Sequence, residues 1–522
     1  MERVKLTGPP GTGKTTALID ICEQEISRGR APWEIVLCSF TKAAAYEACD
    51  RARDRFGGSD DDYRWFATEH SICYQLLKLT PGQVFNRKQL RAFGRRYNYD
   101  FTGDQDKKDS LEQRYQEGML KSVADHYEFF VSYMNNRMLP FDAAYREYLR
   151  SVGDTPDGFI RSGLETYIER RERYKQENNL WSFDDMIKGA LEQRLFPIGA
   201  RVLILDEAQD CSPLLWALIK FWSSQVESYY IAGDPLQTLY FWAGSDPELF
   251  YNFPGEEHIL RHSYRLTPEV KEFAERIVRR TSLPFPDYSP SARPGIVEWQ
   301  RHSVDWENAE DCFVLARTRW LISLFRDQFL EMGIPFNSER GSQSPLATTK
   351  GRAFYSLVKL EAGERVSNIE LSTLVKHTGA PYLARGAKKR VRSLIDGMYG
   401  LHDLKEMGFT DAFTDALRNG FEEILCRDIE KHERRYLMRV FKRYGHQAFE
   451  EPAKITLTTL HGSKGREKPT VYLCPDLTRK VWDGYTRDRI PETLLFYVGA
   501  TRAIDRLIIL PSNQYYSFPL PR

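Results

Sequence analysis

The sequence predicts an α/β protein built on two parallel sheets with helices on both faces, each sheet domain carrying a helical insertion. Two sets of strand-like apolar runs alternate with helical patterns, and two long regions between them contain no such runs. A glycine-rich signature lies between the first strand and the first helix. Strands alternating with helices make parallel sheets, in which ligands bind beyond the carboxyl ends of the strands.

The first set reads "RVKLT", "EIVLCSF", "RVLILDE" and "YYIAGD". Lys14, Asp206, Glu207 and Asp234 all follow a strand end, so they can converge on one cleft. The second set reads "GIVEW", "CFVLAR", "KITLTTL", "TVYLCP" and "RLIIL". Between them, about 76–180 and 345–450, patterns such as Leu164, Tyr167 and Ile168 recur at helical spacing. The proline-rich stretch Ser282–Gly295 cannot be regular helix and reads as an extended connector.

Composition narrows the class. The 522 residues are 42% apolar and 28% charged, with a net charge of +1, so any nucleic-acid site has to be a local groove rather than a basic surface. Eight cysteines form no CxxC pair, which argues against a zinc site or a disulfide framework. No apolar run approaches the ~20 residues of a membrane span, and no leader-like segment precedes Gly8. A cytoplasmic protein is expected.

"GPPGTGKT" spans Gly8, Pro9, Pro10, Gly11, Thr12, Gly13, Lys14 and Thr15, followed by Thr16. It fits the phosphate-binding pattern in its proper context, after a strand and before a helix. Glycines let backbone N–H groups wrap phosphate oxygens, Lys14 neutralises their charge and Thr15 offers a hydroxyl to Mg²⁺. The plain alternative is a glycine-rich turn that starts a helix. "LILDEAQD" then delivers two carboxylates at a strand tip: Asp206 as a second Mg²⁺ ligand and Glu207 to orient and deprotonate the attacking water. ATP with Mg²⁺ is the expected cofactor.

These stretches, together with "SFTKAAAYE", "TEHS", "SFDDMI", "GDPLQTLYFWAG", "HSYRLTPE", "TLHGSKGRE" and "FYVGATRA", resemble in order the motifs of UvrD/Rep-type superfamily 1 helicases. The resemblance covers nearly the whole chain. It implies two RecA-like P-loop NTPase domains with helical insertions: 1A at 1–75 and 181–255, 1B at 76–180, 2A at 256–344 and 451–522, and 2B at 345–450.

The same resemblance implies roles. Gln237 is the γ-phosphate sensor, Arg265 and Arg502 reach that phosphate from the second domain, Tyr264 packs on the adenine, and Glu467 lies near the ribose. Tyr240 and Trp242 contact single-stranded DNA, as do Phe40, Thr41, His70 and His461. Stacking suits a motor because every base has a π face. Core packing is the ordinary alternative for such aromatics.

Departures from the family pattern are specific. Seven residues stand before Gly8, and the glutamine motif that reads adenine in relatives is not expected among them; Thr16 stands where relatives often carry an adenine-stacking arginine. Arg466 and Lys468 replace apolar residues around Glu467. Trp482 and Tyr485 fall where relatives carry a strand-separating hairpin. Basic runs at Asn86–Tyr99, Arg385–Arg392 and Lys431–Gly445 lie in the insertions, where they are either solvated helix faces or duplex contacts. The resemblance implies an ATP-dependent DNA helicase that translocates 3′ to 5′ on single-stranded DNA and unwinds duplex at single-strand/duplex junctions. An RNA helicase, or a nucleic-acid-stimulated switch serving a protein partner such as a nuclease, remains as an alternative.

Overall fold

The structure, a computed structural model, describes residues 2–39, 42–102, 120, 122–152, 155–338, 344–425 and 429–522. The first sheet contains β1 (Arg3–Thr7), β2 (Ile35–Ser39), β3 (Phe66–Ala67), β4 (Val202–Asp206), β5 (Ser228–Gly233) and β6 (Glu256–Ile259). Its order is β3-β2-β4-β5-β1-β6, with every pairing parallel. β2, β4 and β5 are buried along their whole length, as interior strands covered on both faces must be. β6 is polar and exposed at the edge. Its pairing with β1 corrects the domain division after 255, which cuts this sheet.

The second half contains β7 (Ile296–Trp299), β8 (Cys312–Ala316), β9 (Phe336–Ser338), β10 (Val366–Ser367), β11 (Met398–Tyr399), β12 (Ile455–Thr459), β13 (Lys468–Leu473), β14 (Asp476–Leu477), β15 (Ala503–Ile509) and β16 (Tyr516–Ser517). Six of these form the parallel sheet β7-β15-β13-β8-β12-β9. β10 and β11 pair antiparallel inside the second insertion, which is therefore not purely helical.

The two insertions are anchored differently. The first has its own core, in which Phe93, Phe129, Phe130, Tyr148 and Tyr167 are fully buried. It leaves and re-enters the sheet domain on a paired stalk, where Phe85 N donates to Trp181 O at 2.8 Å and Trp181 N to Gln83 O at 2.7 Å. The second insertion shares one continuous core with its sheet, as Tyr436 and Leu437 pack with Val314, Phe329 and Phe336.

A buried ion pair ties the first insertion together. Arg171 donates to Glu128 through Nε at 2.8 Å and Nη2 at 2.9 Å, and Tyr167 Oη donates to the same carboxylate at 2.5 Å. Removing one partner strands a buried charge, so Arg171→Ala is expected to destabilise this insertion by about 3–5 kcal/mol. Limited proteolysis checks it: cleavage within 76–180 accelerates, and an unchanged digestion rate refutes the expectation.

Candidate nucleotide cleft and nucleic-acid groove

The cleft begins where β1 turns into the helix Lys14–Ser27. Gly8 N donates to Gly233 O at 3.0 Å, which fixes the start of the loop to β5. Gly11 and Gly13 take φ of 73° and 81°, a left-handed conformation that glycine adopts at little cost. Glycine is also enforced sterically, because a Cβ at Gly8 would collide with Lys14 and one at Gly11 with Arg265 Cβ. Thr12 Oγ1 donates to Pro9 O at 2.8 Å and Lys14 Nζ to Gly8 O at 2.7 Å. Thr16 is exposed beside the loop.

Thr15 Oγ1 donates to Asp206 Oδ2 at 3.1 Å, so a hydroxyl and a carboxylate meet at the loop's end. Such hard oxygen donors fit Mg²⁺, which takes only one or two protein ligands and completes its shell with phosphates and water. Among the described residues no group of three or more His, Cys, Asp or Glu could hold a metal ion. The loop amides at the head of a 14-residue helix suit the phosphates themselves.

β4 delivers the two carboxylates. Glu207 is a non-glycine residue at φ 55°, a conformation that costs of order 1–3 kcal/mol, and its N–H donates to Asp206 Oδ1 at 2.8 Å. Burial, reinforced by Glu207, pushes Asp206 up to about 6. Burial opposes the charge on Glu207 as well, but Lys464 and Lys14 outweigh it and hold this carboxyl down at about 2.

Two residues that the sequence reading did not assign complete this cluster. Gln209 donates to Glu207 Oε2 at 2.5 Å and accepts from Asp234 N at 3.0 Å. A Cβ at Gly233 would come within 2.7 Å of the Gln209 oxygen, so glycine there makes room for the bridge. Lys464, from the second domain, pairs with Asp210, lies 3.7 Å from Glu207 and donates to Gln237 O at 3.1 Å.

The loop after β5 joins the two domains. Gln237 Nε2 donates to Asp234 Oδ2 at 2.7 Å, and Gln237 Oε1 accepts from Arg502 Nη2 at 3.1 Å. Leu236 and Leu239 of this loop are buried in the second domain's core with Leu494 and Tyr497. Arg502, 2% exposed, is held by Val498 O at 2.9 Å. Burial and the neighbouring Arg265 lower it to about 9. Arg265 forms an ion pair with Glu467. Second-domain residues also grip the phosphate loop directly: Ser263 Oγ donates to Pro10 O at 2.7 Å and Tyr264 N to Gly11 O at 2.9 Å. Tyr264 is 71% exposed, and its ring lies edge-on to His262 at 4.7 Å.

A groove of about 560 Å³ runs beside this loop, lined by the first insertion, the loop itself and the second domain. Trp242 and His461 are in its wall, together with Phe241, which the sequence reading passed over. The Trp242 ring is 5.7 Å from Phe129, and its buried Nε1 has no hydrogen-bond partner. Arg137 of the first insertion donates to Phe241 O and, at 3.5 Å, to Trp242 O. Arg317 and Glu492, also in the wall, form a two-bond ion pair with both contacts at 2.6 Å.

Two of the expected strand contacts lie outside this groove, and one expected element differs. Tyr240 does not line the groove: its ring packs against the second domain's core, with Lys464 Nζ 5.7 Å from its centroid. His70 is likewise absent from the wall and contacts Phe183 edge-on at 5.8 Å. Trp482 and Tyr485 belong to a helix, Arg479–Arg487, rather than a hairpin, and Trp482 stacks on Tyr516 at 5.9 Å. Phe40 and Thr41 lie outside the described residues.

Next to His70, Glu69 is 1% exposed, and its Oε1 has no hydrogen-bond partner. Burial pushes it up from 4.5 to about 7. Because the folded value is the higher, the stability this carboxyl permits is complete below pH 4.5 and is lost as pH rises through 7. The loss is on the order of 3 kcal/mol relative to a side chain that does not titrate. Glu69→Gln is therefore expected to gain in melting temperature over the parent between pH 5 and pH 8. A gap that stays constant across that range contradicts the assignment.

The family model described as the UvrD/REP helicase N-terminal domain matches residues 2–257, and the one described as the UvrD-like helicase C-terminal domain matches residues 414–514. Similar proteins include the ATP-dependent DNA helicase PcrA of Staphylococcus aureus, 21% identical over 66% of this chain and 50% of its own length. The PcrA of Bacillus subtilis is 22% identical over 66% and 47% respectively. The putative ATP-dependent DNA helicase YjcD of Bacillus subtilis is 23% identical over 64% and 46%. The chain thus aligns with about half the length of these relatives. No helix among the described residues is long and apolar enough to cross a membrane. With both sheets parallel and both family descriptions matched, the chain belongs to the UvrD/Rep-type superfamily 1 helicase family.

Proposed function

We propose that the chain is an ATP-dependent translocase that moves 3′ to 5′ along single-stranded DNA and opens duplex at junctions. One observation carries the reading: a single loop, Asp234–Ser245, places Gln237 in the nucleotide cleft and Phe241 and Trp242 in the groove. A shift at one site is therefore felt at the other. ATP with Mg²⁺, held by Gly8 to Thr16 with Asp206, supplies the phosphoryl group. Glu207 orients and deprotonates the attacking water, and Lys464 and Lys14 beside it keep its carboxyl ionised, the form that accepts a proton. Arg265 and Arg502 bring fixed positive charge from the second domain, so turnover requires a closed cleft. Tyr264, an exposed residue, and Glu467 are assigned to the adenosine.

A second reading has its own support. The helix at Arg479–Arg487, where a strand-separating hairpin was expected, favours a strand-stimulated ATPase switch that unwinds little and serves a protein partner. A cytoplasmic location fits either reading, since the seven described cysteines are free thiols.

Steady-state ATP hydrolysis with and without a single-stranded DNA oligonucleotide tests the proposal, with Lys14→Ala as the control for contaminants. DNA stimulation that Lys14→Ala abolishes, and displacement of a strand from a 3′-tailed but not a 5′-tailed duplex, are the expected results. Equal or greater stimulation by a matched RNA oligonucleotide overturns the choice of DNA. Stimulation without displacement from either tail favours the switch.

A further inference from the structure

The helix Arg479–Arg487 forms one wall of the groove. Val481 and Tyr485 bury its inner side in the second domain's core, and Thr478 caps it by accepting from Val481 N at 3.4 Å. Lys480, Gly484 and Arg487 face the groove from its outer side. They are spaced four and three residues apart and so form one row along the helix.

Gly484 has no explanation within the fold. It lies inside a helix, its φ is not positive, and a Cβ there would meet nothing within 4 Å. Glycine weakens a helix relative to alanine, and its other use is to let a backbone or ligand approach closely. Here it leaves a notch between two cations.

The groove's carboxylates are engaged elsewhere. Glu492 pairs with Arg317 at 2.6 Å and Glu147 with Arg137, while Asp246 and Asp488 accept from the backbone N–H groups of Glu248 and Ile490 at 2.9 and 3.0 Å. At the end of the row, Arg487 Nη1 reaches across to donate to Arg150 O at 2.8 Å, in the last turn of the insertion helix Phe141–Val152.

We propose that the row Lys480, Gly484 and Arg487 is a backbone clamp for single-stranded DNA. Phosphates lie against the two cations, the sugar–phosphate chain passes close to the helix at Gly484, and the bases turn toward Phe241 and Trp242. The proposal rests on the strand-binding reading given above. Seven helical residues span about 10 Å, against a rise of about 3.4 Å per nucleotide in a stacked strand, so the two cations serve different phosphates. Arg487 exchanges its bond to the Arg150 carbonyl for a charge-assisted bond to phosphate.

Fluorescence anisotropy with a labelled oligothymidylate, titrated without nucleotide at several salt concentrations, tests the clamp. Lys480→Ala and Arg487→Ala are each expected to weaken binding and to reduce the slope of log affinity against log salt by about 0.7. Gly484→Leu is expected to weaken binding about tenfold or more with no fall in melting temperature. Arg479→Ala, on the same helix but off the groove, leaves affinity and slope unchanged. Parent-like affinity and slope in both cation variants, or parent-like affinity in Gly484→Leu, overturns the clamp while leaving the strand-binding reading intact. A parent protein that binds no oligonucleotide overturns that reading and the clamp with it.

Discussion

Glu207→Gln is expected to reduce the DNA-stimulated rate of ATP hydrolysis by about 10²–10⁴-fold while the protein still binds nucleotide. The substitution keeps the shape of the side chain and removes its charge. Gln209 then loses its anionic partner, while Lys464 keeps its ion pair with Asp210 and loses only the more distant charge of Glu207. The left-handed backbone at Glu207 is unaffected by the change, so folding is not the cause of the loss. Single-turnover hydrolysis, with nucleotide binding measured separately, distinguishes the two effects. A variant that turns over within tenfold of the parent removes Glu207 from the proposed chemistry.

Arg502→Ala is expected to cost about 10³–10⁵-fold in turnover, the range associated with an arginine that stabilises charge in phosphoryl transfer. Arg502→Lys is not expected to rescue it, because the lysine head cannot bond Val498 O and Gln237 Oε1 together as the guanidinium does. The Gln237 oxygen also loses its partner from the second domain, so the alanine variant is expected to lose DNA stimulation beyond the fall in basal rate. Basal and stimulated rates measured side by side decide this. An unchanged ratio between them means that Arg502 acts on the nucleotide alone and carries nothing to the groove.

The strands with apolar runs were legible because buried parallel strands must be apolar along both faces, as β2, β4 and β5 are. β6 was not, because "EEHI" is a polar edge strand with no apolar signal, and the domain boundary was misplaced there. The phosphate loop itself could be read from the spacing of its glycines, Lys14 and Thr15, whereas the contact from Ser263 to Pro10 could not. Lys464 could not, since its partners Asp210 and Glu207 come from the other domain and only tertiary packing brings them together. Phe241 was not legible as a groove residue, because neighbouring residues in this tight turn point about 120° apart and only the fold shows which of them line the wall. The helix at Arg479–Arg487 did leave a trace: Val481 and Tyr485 are four residues apart, the spacing of a buried helical stripe.

The bond from Tyr264 N to Gly11 O has a practical consequence. Its donor belongs to one domain and its acceptor to the other, so opening the cleft exposes this amide without unfolding either sheet. Exchange of the Tyr264 amide with deuterated solvent thus measures the free energy of cleft opening in the unlabelled, unmodified protein. Amides inside β4 and β5 exchange only through deeper unfolding and serve as the internal reference.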